Sequence, residues 1–218
     1  MDARGDRGHK VVKLYVEGGG DSAVLNAACR EGFTTFITRA GIANRPRVVA
    51  CGSRGNAFES FCIAVRLGQP AMLLVDSEEQ VAAEHARGDA DRWQPWRHLK
   101  QRNGDHWEKP DGGNEQDCHL MVQCMESWFI ADRETLARFF GAGFDVRKLP
   151  RSPKIEAVPK QEIYNSLQLA TRGCGGKGEY HKGRHSFKLL ACIDPGKVTS
   201  ASDWAGRFVN ILKARMDG

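Results

Sequence analysis

Apolar residues fall along this chain in short, dense runs separated by longer stretches of helical spacing, and that alternation predicts most of the fold. Residues 11–16 (VVKLYV) form a β-branched-rich run of strand length, followed by Gly18, Gly19 and Gly20, which allow a tight turn and close backbone approach. Asp21 and Ser22 then offer a helix cap, and Val24, Leu25, Ala28, Phe33, Phe36 and Ile37 predict a helix over 22–39 with a break near Gly32. Residues 47–51 (RVVAC) predict a second strand. After a turn at 52–56, Phe58, Phe61, Cys62 and Val65 lie at i, i+3, i+4 and i+7 of a second helix ending near Gly68. Residues 71–75 (AMLLV) have no polar interruption, as an interior parallel strand requires. Strand, helix, strand, helix, strand within 76 residues predicts an α/β fold with a mostly parallel sheet flanked by helices.

Further on, residues 82–100 are expected to contain a helix, 103–117 a loop rich in Gly, Asp, Asn and Pro, and 119–125 (HLMVQCM) a fourth strand. A helix over 127–140 closes at Gly141. Beyond Gly143 the texture changes to a proline-punctuated basic connector, a helix at 161–170, a Gly/Lys loop at 172–183 and closing helices at 186–192 and 202–216, the first stopped by Asp194 and Pro195. We therefore divide the chain into an α/β domain over 10–143 and a basic, mostly helical extension over 144–218.

The chemistry sits where the strands stop. Glu17 ends the first strand, Asp76 and Glu78 end the third, and Glu126 follows the fourth. A parallel topology points Glu17 and Asp76 from the same sheet edge, where open α/β sheets place their ligands. A bare carboxylate at a buried strand end is costly, so Glu17 needs a partner, and a divalent cation is one candidate. In an extended segment Asp76 and Glu78, two residues apart, share a face. One acidic turn is ordinary solvated surface; three converging on one edge are harder to read that way.

Charge changes the picture in the last third. The 218 residues carry a net +5, yet residues 147–188 hold ten Lys or Arg against three acids, so the remainder is slightly acidic. A basic tail facing an acidic edge suits a phosphate-backbone binder, and a solvated basic surface is the competing reading. The seven cysteines are odd in number, lack a CxxC pair and mostly lie in apolar runs, as reduced core thiols do. With no apolar run of membrane length and a polar start at residues 1–10, the expected location is the cytoplasm and no membrane partner is expected.

Other motifs carry less. Trp93, Trp96 and Trp107 can stack nucleobases or cover a core edge, and the second is the commoner role. Cys174, His181, His185 and Cys192 are too irregularly spaced for a good zinc site. RGCGGKG at 172–178 is no phosphate loop of the Walker type, since Gly178 stands where Ser or Thr binds Mg²⁺.

An apolar strand ending in Glu17-Gly18 with Asp21 after it, then one ending in Asp76-x-Glu78, resembles the TOPRIM domain of topoisomerases, primases and OLD-family nucleases. Residues 121–132 (MVQCMESWFIAD) and the later GKGEYHKGRHSFKLL look like a TOPRIM-like bacterial family near the OLD and RloB-type proteins. The resemblance spans about residues 11–194. It implies that Glu17 is a metal-linked general acid or base, that Asp76 and Glu78, with Asp21 and Glu126, hold Mg²⁺ or Mn²⁺, and that Lys177 or Lys182 is a late lysine near the scissile phosphate. The glutamate at 78 departs from the usual second aspartate. The implied activity is metal-dependent phosphodiester hydrolysis on DNA or RNA, in a phage-defence setting, with Arg172, Lys177, Lys182, Arg184 and His185 on the nucleic-acid backbone. Two alternatives stay open: a weakly catalytic or non-catalytic module partnering an ABC-type ATPase, and hydrolysis of a small phosphate ester. Oligomeric state is left open.

Overall fold

A computed structural model describes residues 11–20 and 22–217. Four parallel strands, β1 (Lys13–Val16), β2 (Arg47–Ala50), β3 (Ala71–Asp76) and β4 (Cys118–Met121), form one sheet in the order β2-β1-β3-β4. Helices α1 (Ala23–Arg39) and α2 (Arg54–Arg66) make the first two crossovers, and α3 (Pro95–Gln101) lies in the connection to β4. Then follow α4 (Met125–Ala131), α5 (Arg133–Phe140), α6 (Lys160–Thr171), α7 (Lys182–Cys192), α8 (Pro195–Ala201) and α9 (Asp203–Asp217).

The pleat sorts the strand residues onto two faces. Leu14, Val16, Met72 and Leu74 pack with Phe33, Phe36, Trp128 and Phe208, while Tyr15, Leu73 and Val75 pack with Phe61, Trp96 and Leu99. β3, central and buried at all six positions, is the uninterrupted apolar run its sequence announced. The first face also takes Leu167, Leu189, Leu190, Val198 and Leu212, so residues beyond 144 share one apolar cluster with residues before it. Among the described residues, no helix is long and apolar enough to cross a membrane.

The fourth strand, expected over 119–125, stops at Met121, and four other boundaries differ from the expectations for a local reason. α1 runs unbroken through Gly32, because that glycine serves packing rather than a kink. An added Cβ would stand 2.7 Å from the carbonyl oxygen of Phe187 on α7. Gly32→Ala is therefore expected to cost about 1–3 kcal/mol, read as a lowered midpoint in denaturant titration, because backbone is what it strikes. The helix over 127–140 is instead two, α4 and α5, broken where the Asp132 side chain turns to accept from Thr135 N. Residues 82–94 form short 3₁₀ turns before α3. Asp194 and Pro195 both stop α7 and start α8, Asp194 accepting from Gly196 N with Pro195 in the first helical position.

Asp132 also accepts from Asp194 N at 3.0 Å and Lys197 Nζ at 2.9 Å, tying α5 to α8. Burial pushes its carboxyl up, but those bonds and Thr135 outweigh it and hold the group at about 2. A carboxyl so depressed stabilises the fold above its unfolded value, and that contribution is lost as pH falls through about 2. Asp132→Asn should thus be destabilised by roughly 2 kcal/mol at neutral pH, with the gap to the parent closing below pH 4 in pH-resolved thermal melts.

The tryptophans cover core edges. Trp96 stacks on Phe61 at 5.7 Å, Trp107 on Phe58 at 4.5 Å, and Trp93 lies against Trp204 at 4.8 Å.

Candidate functional site

β1 and β3 are neighbours in register, Val16 opposite Leu74, so the residues just beyond them emerge side by side. Glu17 and Asp76 do so: Asp76 N lies 3.4 Å from Glu17 Oε2, in donor orientation. Glu78 joins them, and each of the three carboxylates offers an oxygen within 4.8 Å of the others. Asp21 lies outside the described residues.

Glu78 arrives by a different route from the one its spacing suggests. Rather than extending from β3, the backbone turns left-handed at Glu78, with φ at 68°. That is an uncommon state for a side-chain-bearing residue. The turn is clamped by neighbours: Ser77 N donates to Met121 O, Glu78 N to Gln123 O, and His98 Nε2 sits 3.0 Å from Ser77 O. Arg54 reaches over from α2 to donate to Asp76 O at 2.5 Å while pairing with Asp105 at 2.6 Å.

Asp76 is the centre of the cluster. It is buried, and its Oδ1 accepts from Met125 N at the start of α4 at 2.8 Å. Burial, then the neighbouring Glu17 and Glu126 charges, push its carboxyl up to about 8. Burial also raises Glu17, countered by Arg54 and Lys182. Glu78 goes the other way: burial would raise it, but the Lys160 ammonium at 2.7 Å holds it below the ordinary carboxylate range.

Lys160 is the residue the sequence concealed. It opens α6, eighty-odd positions from its partners, and its Nζ lies 2.7 Å from Glu78 and 3.4 Å from Asp76. Burial lowers its pKa, but Asp76 and Glu78 raise it by more. No local pattern marks it; a lysine behind a proline at a helix start is ordinary.

Glu126 requires a correction. It lies in the first turn of α4, as the second residue of that helix, rather than at a strand end, and it stands outside the three-carboxylate group. Fully buried, it accepts from Tyr180 Oη at 2.9 Å, Tyr164 Oη at 3.1 Å and Ser186 Oγ at 3.2 Å. Three hydroxyl donors satisfy the buried carboxylate in place of an ion. Lys182 Nζ bonds Tyr164 Oη at 3.1 Å and reaches Glu126 only at 4.0 Å, leaving the half-exposed lysine on the rim of the cleft.

The basic residues separate into two places. Lys182 lines the cleft with Glu17 and Asp76. Lys177 does not; its Nζ lies 4.7 Å over the Phe139 ring, in a second cavity of about 240 Å³ shared with Arg184 and Lys188. Arg172 is exposed beside Glu179. His185 is buried between Phe139, Phe140 and Tyr180, and its Nδ1 accepts from His181 N. It anchors the loop to α7 and also lines the cavity with Lys177, Arg184 and Lys188.

The donor set of the cluster is entirely carboxylate oxygen, which fits Mg²⁺ or Mn²⁺ and does not favour soft metals. Fold and cleft together define an α/β protein with a candidate cation site at the carboxyl edge of a parallel sheet. The chain belongs to the DUF4276 family, described as a domain of unknown function, whose sequence model matches residues 16–213. No curated protein and no solved structure matches it.

Proposed function

We propose that this chain is a TOPRIM-like, divalent-cation-dependent phosphodiester hydrolase acting on nucleic acid, akin to the OLD and RloB-type nucleases. The observation that carries the reading is the convergence of Glu17, Asp76 and Glu78 from two adjacent strand ends, with Lys182 on the rim. Those three carboxylates are the residues that would hold the cation. A bound Mg²⁺ polarises a phosphoryl oxygen and lowers the pKa of water. Glu17, beside the Asp76 amide, is placed to hold or release a proton at the cluster. Lys182 supplies positive charge at the mouth, and Lys177, Arg184 and Lys188 offer a second phosphate-binding patch on the basic C-terminal third.

Nicking of supercoiled plasmid across a Mg²⁺ and Mn²⁺ titration tests this. Cleavage that needs the cation and disappears in Glu17→Gln supports it; cleavage untouched by that variant assigns the activity elsewhere. One observation favours a second reading. Lys160 already sets an ammonium 2.7 Å from Glu78 and 3.4 Å from Asp76, as a non-catalytic module docking on an ABC-type ATPase would have it. Calorimetry with Mn²⁺ separates the two, since the module binds no cation at this cluster.

A further inference from the structure

We propose that the cleft beside the carboxylates takes a single unpaired nucleobase, so that the substrate is single-stranded or frayed nucleic acid rather than intact duplex. This rests on the phosphodiesterase reading above and specifies its substrate. The cleft, about 210 Å³, has two kinds of lining. Glu17 and Asp76 give it charge, with Lys182 at the mouth. Beside them it is lined by Leu25, Met121, Met125 and Phe187 and by the glycine turn, Met121 standing opposite Asp76 in the sheet and Met125 bonding it through its N–H.

That apolar lining has no use in binding a phosphate or a cation, but it suits a flat ring. Met121 and Met125 offer polarisable thioethers, and the half-buried Phe187 offers an aromatic ring. The glycine turn adds no side chain to the lining: Phe187 packs directly against Gly18, where a Cβ would lie 2.9 Å from its ring, whereas a Cβ on Gly20 would meet nothing within 4 Å. The cavity falls below the roughly 300 Å³ at which pockets for larger ligands begin, enough for one ring system and too small for a base pair. With the phosphodiester at the carboxylates, the neighbouring base enters the cleft against its apolar lining only if it is free of its partner. Taking it from a duplex costs unpairing and unstacking, and a single strand avoids most of that cost.

The test is equilibrium binding, scored without turnover. A fluorescent single-stranded oligonucleotide, its blunt duplex and the same strand carrying abasic sites are titrated in Ca²⁺ against the parent protein and Leu25→Trp, whose indole fills the cavity from the first turn of α1. The single strand is expected to bind about tenfold or more tightly than either competitor, as base–aromatic stacking allows. Leu25→Trp should erase that preference while keeping its Mn²⁺ binding and its melting midpoint. If the tryptophan variant melts early, the smaller Leu25→Phe takes its place. Equal affinity for the three ligands, no binding of any strand, or a filled-cavity variant that still discriminates overturns the proposal. Mn²⁺ calorimetry on the parent protein reports separately. Cation binding with equal strand affinities defeats this inference alone, whereas strand preference without cation binding defeats the hydrolase reading and leaves the base pocket standing.

Discussion

Asp76→Asn is expected to lower cation-dependent cleavage by about a thousandfold or more while making the metal-free protein harder to unfold. Both effects follow from one location. Asp76 is buried, faces the Glu17 and Glu126 charges, and has the Lys160 ammonium no nearer than 3.4 Å. Asparagine keeps the oxygen that accepts from Met125 N and removes a carboxyl whose ionised form is disfavoured by burial and two like charges, so that folding no longer works against its ionisation. The gain should be about 1–3 kcal/mol in chelator, read from denaturant midpoints. Adding Mn²⁺ should reverse the order, because a cation bound only by the folded parent stabilises it by roughly 2.7 kcal/mol at a hundred times its dissociation constant. A variant that is both less stable and fully active would show that Asp76 is an ordinary packing residue.

Arg207→Met should be the most damaging single change to stability, at about 3–5 kcal/mol, or roughly 10 °C in melting midpoint for a chain of this size. Arg207 projects from α9 into the interior, nearly sealed from solvent. Its guanidinium donates to Ala90 O at 2.7 Å, Cys118 O at 2.9 Å and Glu115 O at 2.6 Å. These carbonyls belong to the start of β4 and the turns leading to it, so one planar fork joins the last helix to the edge of the sheet. Methionine fills similar volume yet leaves three acceptors without a donor. Arg207→Lys should recover only part of the loss, because an ammonium lacks the fork geometry. Thermal melts of the three proteins decide it: equal midpoints would mean that water replaces the guanidinium.

Much of this architecture was legible because it depends on local pattern. The β3 run at 71–75 could be little else, and the spacing of Phe58, Phe61 and Cys62 reports the buried face of α2 directly. Helix ends were read less well where one residue does two jobs. Asp132 sits in a helical pattern yet ends α4 by accepting from Thr135 N, and Gly32 sits in the middle of α1 as the point where α7 packs against it. Arg207 left a trace, an arginine on the apolar stripe of Trp204, Phe208 and Leu212. Such a residue must find buried acceptors or unfold the helix from its site.

The candidate site divides along the same line. Sequence alone determined that two parallel strands end in Glu17 and Asp76; that these strands are neighbours came from the sheet order. Strand period and crossover topology are short-range properties, and they suffice to put both acids on one edge. Tertiary structure alone decided which charges meet them. It brought Lys160 from the start of α6 onto Glu78, sealed Glu126 under the hydroxyls of Tyr164, Tyr180 and Ser186, and held Lys177 over Phe139, away from the cleft. Those contacts join residues up to 82 apart in the chain. Their partners are chosen by how whole helices pack against the sheet, a constraint that no window of neighbouring residues contains.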